Sequence, residues 1–190
     1  MGYTLIDSDT ASGSAAINYT IDGTYDEILF TFTNYKPSAD EKLLLWQVTT
    51  TGGANDRPIQ SAAWRTTTRA DGGTVNTEYA ASNDRAVGDD PNYQSLSMSA
   101  DSARARMGCS GQLTIYKPAD TTYYKQWIAE CSMQEAAADS DAQTYAFGFR
   151  ASGYIKDTAA VTGIQFASGL FNGSVSGTIA VGDFAFYGLA

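Results

Sequence analysis

The chain has 190 residues, of which 43% are hydrophobic and 12% aromatic, so it is neither disordered nor collagen-like. Its length predicts one domain over residues 1–190, with residues 1–14 as an N-terminal arm or an edge strand. Twelve Lys and Arg residues against 21 Asp and Glu residues give a net charge of −9. We therefore expect no nucleic-acid partner, because a phosphate backbone attracts a basic surface.

Histidine is absent from the sequence. This excludes Ser-His-Asp and Cys-His catalytic systems and His-ligated zinc within the chain. An enzyme would have to use carboxylate, Lys or Tyr chemistry. The first residues lack the basic start and long apolar core of a signal peptide, and no apolar run is long enough to span a membrane. We expect synthesis in a cytoplasm and no membrane partner.

Thr, Tyr, Val, Ile and Phe cluster in short runs without helical spacing, which predicts an all-β chain. In Tyr25–Thr33, Ile28, Phe30 and Phe32 occupy one face of a strand, and the polar segment Asn34–Asp40 then predicts a loop. About ten strands at this spacing indicate a sandwich of two antiparallel sheets. The other strands are expected at Ala15–Ile21, Leu43–Thr50, Ile59–Thr68, Thr74–Tyr79, Ser95–Met98, Gly111–Tyr116, Tyr123–Met133, Thr144–Ala151, Ala159–Phe166 and Gly177–Tyr187.

The predicted turn Lys117–Thr122 suggests a register for one hairpin, and the two cysteines fit it. If Tyr116 faces Tyr124 across the turn that follows it, Cys109 faces Cys131 directly. Facing residues lie close enough for a disulfide, so the pair is either a cross-strand bridge or two contacting thiols. A reducing cytosol favours the thiols. We expect no metal site here, since two sulfurs without histidine are too few ligands.

Three pairs of acidic residues lie in polar loops and could supply oxygen ligands to Ca²⁺, although none has the full pattern of a calcium loop. Exposed turn residues explain them better. A glycosidase would need two facing carboxylates, which spacing in an all-β chain cannot establish. We therefore predict no catalytic residue, no metal and no cofactor. The pairs are Asp7 with Asp9, Asp89 with Asp90, and Asp139 with Asp141.

Aromatic residues could form platforms for a sugar, as in sandwich lectins, but aromatics within strands more often belong to a core or a subunit interface. Four arginines are better candidates for intersubunit salt bridges than for anion binding. The aromatic candidates are Trp46, Trp64, Tyr123, Tyr124 and Trp127, and the arginines are Arg65, Arg69, Arg104 and Arg106.

The order of several short motifs resembles small structural proteins of tailed bacteriophage virions. The resemblance covers residues 15 to 190 and rests on turns and strands that recur in the same order and at similar spacing. The motifs are Ile21–Ile28, Asn34–Asp40, Thr49–Gly53, Gly111–Pro118, Thr121–Lys125, Val161–Gly169 and the ending Gly177–Leu189.

The resemblance implies a non-enzymatic virion component with a jelly-roll-like sandwich, present in many symmetric copies. A short chain without coiled coil or shaft repeats fits a capsid decoration protein better than a whole tail fibre. We expect a homotrimer whose partners are its own subunits and major capsid or tail proteins. The alternative is a tail-associated receptor-binding or adaptor module that recognises host-surface glycans, and a third class is a glycan-cleaving enzyme.

Two loops are the predicted contact surfaces, the long loop Ala80–Tyr93 and the turn Gly52–Arg57, because loops on a rigid sandwich commonly carry recognition residues. Arg and Tyr dominate interface hot spots. Arg57, Arg85 and Tyr93 are therefore the interface candidates.

Overall fold

A computed structural model describes residues 2–50, 53–69, 72–73, 75–85, 92–100, 102, 107–136 and 144–190. Within these ranges the chain forms twelve β-strands and no helix. Each predicted strand overlaps one of the twelve, and β1 lies in the segment expected to be an N-terminal arm or an edge strand. The strands are β1 Thr4–Ser14, β2 Ala16–Thr20, β3 Glu27–Pro37, β4 Leu43–Thr50, β5 Ile59–Arg69, β6 Val75–Tyr79, β7 Gln94–Ser95, β8 Cys109–Tyr116, β9 Lys125–Ala136, β10 Thr144–Ile155, β11 Val161–Gly169 and β12 Ile179–Leu189.

The strands form two antiparallel sheets. The larger sheet has eight strands in the order β1-β12-β3-β8-β9-β10-β5-β6, and the smaller has four in the order β2-β11-β4-β7. The chain passes from one sheet to the other at each of its first four connections, as it does in jelly-roll and Greek-key sandwiches. The predicted two-sheet antiparallel sandwich is confirmed.

Alternate side chains of β3 form the middle of the core. Ile28, Phe30 and Phe32 are fully buried, as the sequence pattern predicts. The ring of Phe30 lies 5.4 Å from that of Phe166 in the smaller sheet and stacks at 4.7 Å on Phe186 of β12. Aromatic residues of both sheets therefore share one interior.

The loop predicted at Asn34–Asp40 begins later than expected, because β3 continues to Pro37. Asn34 takes a positive φ of 55°, and its N–H donates to the Ser110 hydroxyl at 3.0 Å. The strand therefore continues through this irregular residue, where its register with β8 shifts. Tyr35 then turns into the core and is fully buried. Pro37 is tolerated because it stands at the end of the strand.

The long loop predicted at Ala80–Tyr93 is, in its described parts, a packed layer over the smaller sheet. The buried Asn83 amide donates to the Ser97 carbonyl at 3.3 Å, and the Ser97 hydroxyl accepts the N–H of Leu44 at 2.9 Å. This layer covers the outer face of β4, whose residues are almost all buried. Residues 86–91 lie outside the described residues.

The predicted register between β8 and β9 is wrong by two residues. Cys109 faces Met133, and Cys131 faces a glycine. The turn is longer than expected because the Asp120 carboxylate accepts the N–H of Tyr123 at 2.9 Å, as well as that of the preceding threonine. Pairing of β9 with β8 therefore begins farther from the turn, at Ile115 and Trp127. Because the shift is two residues, each side chain still points to the face of the sheet that was expected.

Candidate functional site

The outward face of the larger sheet carries a line of functional side chains. Strand side chains alternate between faces, so the residues that do not enter the core point away from the smaller sheet. The registers of β3, β8, β9, β10 and β5 align Thr31, Gln112, Glu130, Arg150 and Trp64 across the sheet. We call these five residues the transverse row. They come from distant parts of the sequence, and only the strand register brings them together.

The charges of the transverse row balance each other. The Gln112 amide donates to Glu130 Oε1 at 3.0 Å, and Arg150 Nη2 lies 3.5 Å from Glu130 Oε2. Both charged side chains are solvent-exposed, so their pairing contributes little to stability. The pairing places one carboxylate, one guanidinium and one amide side by side on the outward face, and together they carry no net charge.

A second line of residues beside the transverse row has small side chains. Ser110 faces Ser132, Ser132 faces Gly148, and Gly148 faces Thr66. Together with the transverse row they line a trough with a cavity volume of about 810 Å³. A Cβ added at Gly148 would lie 2.7 Å from the Thr66 hydroxyl. A larger residue at this position would therefore displace the Thr66 hydroxyl and narrow the trough.

Trp64 stands at one end of the transverse row with 44% of its surface exposed. It faces Tyr79 of the edge strand β6, and the two rings meet edge to face at 6.5 Å. An exposed indole held by a neighbouring ring offers an apolar surface beside the hydroxyl groups of the trough.

The remaining aromatic candidates divide between core and surface. Trp46 and Trp127 are fully buried and meet edge to face at 5.1 Å, so the core interpretation is correct for both. Tyr123 and Tyr124 are exposed, and the Tyr124 ring stacks on that of Tyr154 at 5.6 Å. Neither tyrosine lines the trough.

Arg57, one of the three interface candidates, is held within the chain. Its guanidinium lies 2.9 Å from Asp56 and 3.3 Å from Asp157. The predicted contact turn Gly52–Arg57 is described only from Gly53 onwards. The interface role of Arg57 stays a prediction.

Arg85 and Tyr93, the other two interface candidates, lie beside each other. Arg85 donates to the Tyr93 carbonyl through Nε at 3.1 Å and through Nη2 at 2.9 Å, and to the Phe171 carbonyl at 3.4 Å. The Tyr93 hydroxyl donates to Gln165. These contacts fasten the covering layer to the smaller sheet, and an interface role for either residue stays a prediction.

Of the four arginines expected to form intersubunit salt bridges, Arg65 forms an ion pair within the chain, with Glu78 of β6, and Arg69 ends β5 opposite Tyr145. Arg104 and Arg106 lie outside the described residues.

A buried cationic group that sequence analysis missed lies at the start of β9. Lys125 is almost completely buried and donates to the carbonyls of Asp157 at 3.1 Å and Ala159 at 2.5 Å. Burial lowers the pKa of Lys125, although the charges of Asp157 and Asp120 oppose the shift. Because its amine is bonded to backbone carbonyls, Lys125 anchors the loop before β11 and does not point into the trough.

Asp157 completes this cluster. Its carboxylate accepts the Ala159 N–H at 2.8 Å and the Thr50 hydroxyl at 3.0 Å, and it lies beside Arg57. Burial acts to raise the pKa of Asp157, but these hydrogen bonds and the charges of Arg57 and Lys125 outweigh it, so the pKa lies below its usual value.

Both cysteines are buried free thiols. Cys109 and Cys131 share the inner face of the sheet as diagonal neighbours, not as the directly facing pair that the sequence suggested. The hydrogen bond between their side chains, together with burial, raises the pKa of Cys109 well above its usual value. A thiol of this kind is a poor nucleophile, since the thiolate is the reactive form.

The acidic pairs are placed only in part. Asp7 and Asp9 lie on the edge strand β1, and the other two pairs fall outside the described residues. Within the described ranges no group of three or more Cys, Asp or Glu residues could hold a metal ion. The same part of the chain contains no helix long and apolar enough to cross a membrane.

No protein-family model matches the chain, and no curated protein matches it at a significant level.

Proposed function

We propose that the protein is a structural component of a bacteriophage virion, of the capsid decoration type, which acts through protein–protein contacts and catalyses no reaction. The ordered motifs between residues 15 and 190 support the virion assignment. A rigid two-sheet sandwich suits such a role, because its edges and outward faces can contact neighbouring chains without rearrangement.

The observation that best supports a contact role is the start of β1. Tyr3, Leu5 and Ile6 are exposed there, with Leu5 at 55%, and β1 is the outermost strand of the larger sheet. The Tyr3 hydroxyl donates to Glu27, which ties this end of β1 to β3 and raises the pKa of Tyr3 to about 12. Ordered apolar side chains at a sheet edge are suited to burial against another chain.

The rest of β1 has features that discourage nonspecific pairing with strands of other chains. The register shifts between Leu5 and Asp7, as at a β-bulge, and the acidic residues Asp7 and Asp9 follow. Bulges and charges on edge strands discourage pairing with other chains. The contact is therefore confined to the first residues of β1, and we propose that a second copy of this chain covers them in a symmetric trimer.

Light scattering on the purified chain tests this contact. The unaltered protein is expected to be a trimer, and Leu5→Asp is expected to shift it towards monomer, because a buried charge would be unpaired. Val75→Asp is the matched control, since Val75 is an exposed apolar residue on the opposite edge strand. A stable monomer for the unaltered protein, or equal effects of both substitutions, would contradict the proposed trimer contact. Turnover of a glycan by the unaltered protein would contradict the absence of catalysis.

A further inference from the structure

We propose that the trough on the outward face of the larger sheet binds a neutral oligosaccharide. Its cavity volume of about 810 Å³ lies within the range of sites for small molecules, roughly 300–1,000 Å³. The site does not depend on the virion role, since it uses the middle of the sheet and the proposed trimer contact uses β1.

The floor of the trough matches the chemistry of sugar hydroxyls. Thr31, Thr66, Ser110 and Ser132 each line it with a hydroxyl. The Ser110 hydroxyl accepts the Asn34 N–H and the Thr66 hydroxyl donates to the Gly148 carbonyl, and both keep further capacity, since a hydroxyl can donate one hydrogen bond and accept two. A sugar hydroxyl has the same two capacities. When a sugar binds, these hydroxyls can replace their hydrogen bonds to water with hydrogen bonds to the sugar, and the sugar can be bound in several orientations.

The charge balance of the transverse row selects a neutral ligand. An anion near Arg150 would also approach Glu130, whose Oε2 lies 3.5 Å from the Arg150 guanidinium, and a cation would meet the opposite conflict. Uncharged hydroxyls can instead bond to the carboxylate, the guanidinium and the Gln112 amide together. Hydrogen bonds to charged groups are stronger than those between neutral groups.

Trp64 supplies the apolar half of such a site. The C–H face of a pyranose ring is apolar, and it loses contact with water when it covers an exposed indole. Trp64 stands beside the hydroxyl-lined floor and its ring contacts Tyr79. Stacking on Trp64 and hydrogen bonding to the floor are therefore available to one ligand at the same time.

The composition of the trough disfavours a protein partner. Protein interfaces are depleted in Ser and Glu at their centre and enriched in large apolar residues. Here the centre holds Glu130, Ser110 and Ser132. Among the residues that line the trough, Trp64 is the one large exposed apolar side chain, and it lies at one end.

Tryptophan fluorescence of the full chain tests the proposal, because Trp64 is exposed while Trp46 and Trp127 are buried. The probes are maltohexaose, cellohexaose and the fully N-acetylated hexamer of chitin, with polygalacturonate as a charged comparison. We expect a saturable change with at least one neutral hexasaccharide. Trp64→Ala, followed by calorimetry, is expected to weaken that binding at least tenfold, and Tyr123→Ala, outside the trough, to change it less than twofold.

Two further variants test the floor and the charge balance. Gly148→Val fills the trough and is expected to abolish binding, with circular dichroism confirming the fold. Glu130→Gln leaves Arg150 unbalanced and is expected to favour polygalacturonate over the neutral probes. No saturable binding of any neutral probe, or equal losses in Trp64→Ala and Tyr123→Ala, would overturn the proposal. Light scattering on Trp64→Ala separates this result from the trimer, which the substitution should not affect.

Discussion

Gln112 of β8 lies directly opposite Glu130 of β9, and its amide donates a 3.0 Å hydrogen bond to the Glu130 carboxylate. The register expected from the sequence, with Tyr116 opposite Tyr124, would have placed Gln112 opposite Ile128. The observed register instead continues a line of polar side chains across the sheet to Arg150. The length of the turn around Asp120 therefore determines which residues of β8 and β9 meet on the outward face.

The observed register predicts a strict requirement for glycine at position 111. A Cβ on Gly111 would lie 2.3 Å from the Glu130 carbonyl and 2.5 Å from the Cys131 Cβ. We expect Gly111→Ala to lower the free energy of unfolding by about 1–3 kcal/mol, measured by urea denaturation. Gly163→Ala is the control, because its nearest atom lies 3.3 Å away. Equal stability of the two variants would contradict the close approach at Gly111.

Lys125 is expected to stabilise the fold through its two carbonyl partners. Lys125→Met leaves the carbonyls of Asp157 and Ala159 without this donor, and we expect a loss of about 1–3 kcal/mol in the free energy of unfolding. The control is Lys117→Met, which removes an exposed ion pair with Asp26 and should cost less than about 1 kcal/mol. A smaller loss for Lys125→Met than for the control would refute the anchoring role.

The lowered pKa of Asp157 predicts that the folded chain loses stability in acid. Its pKa is lower in the folded chain than in the unfolded chain, so folding favours the deprotonated form. Its contribution is complete above the unfolded pKa of about 3.9 and disappears as the pH falls through the folded pKa. We expect Asp157→Asn to flatten the fall in stability below about pH 4, measured by chemical denaturation at several pH values. An unchanged slope would contradict this account of Asp157.

The cysteines are expected to be protected thiols. Because Cys109 and Cys131 are buried and not bonded covalently, iodoacetamide should label neither in the native protein and both after unfolding without reductant. Intact-mass spectrometry measures the number of labels. Absence of labelling in the unfolded chain would show a disulfide and contradict the diagonal pair of free thiols.

Strand alternation predicts much of this fold. The Ile28, Phe30 and Phe32 pattern identifies the buried face of β3, and the boundaries of β4 agree with the predicted Leu43–Thr50. These features depend on neighbours in the sequence, where apolar periodicity is informative. The continuation of β3 past Asn34 was missed because it depends on a hydrogen bond to Ser110, which is distant in the sequence.

The transverse row could not be predicted for the same reason. Alternation places Thr31 on the outward face of β3, but its meeting with Gln112 and Glu130 depends on two registers. The one register inferred from the sequence placed Tyr116 opposite Tyr124 across a short turn, and it differed from the observed one by two residues. Arg85 was expected to be a contact residue from its residue type and its place in the predicted loop Ala80–Tyr93. Its carbonyl partners could not be read from the sequence.

Electron microscopy with gold-labelled antibodies against this chain, applied to the phage particles proposed to contain it, tests the central claim most directly. If the chain is a capsid decoration protein, many gold particles should be distributed over the capsid shell and none should lie on the tail. Label confined to the tail would contradict the decoration role in favour of the receptor-binding or adaptor alternative. Particles that carry no label, and whose proteins include no peptide of this chain by mass spectrometry, would contradict the virion assignment itself.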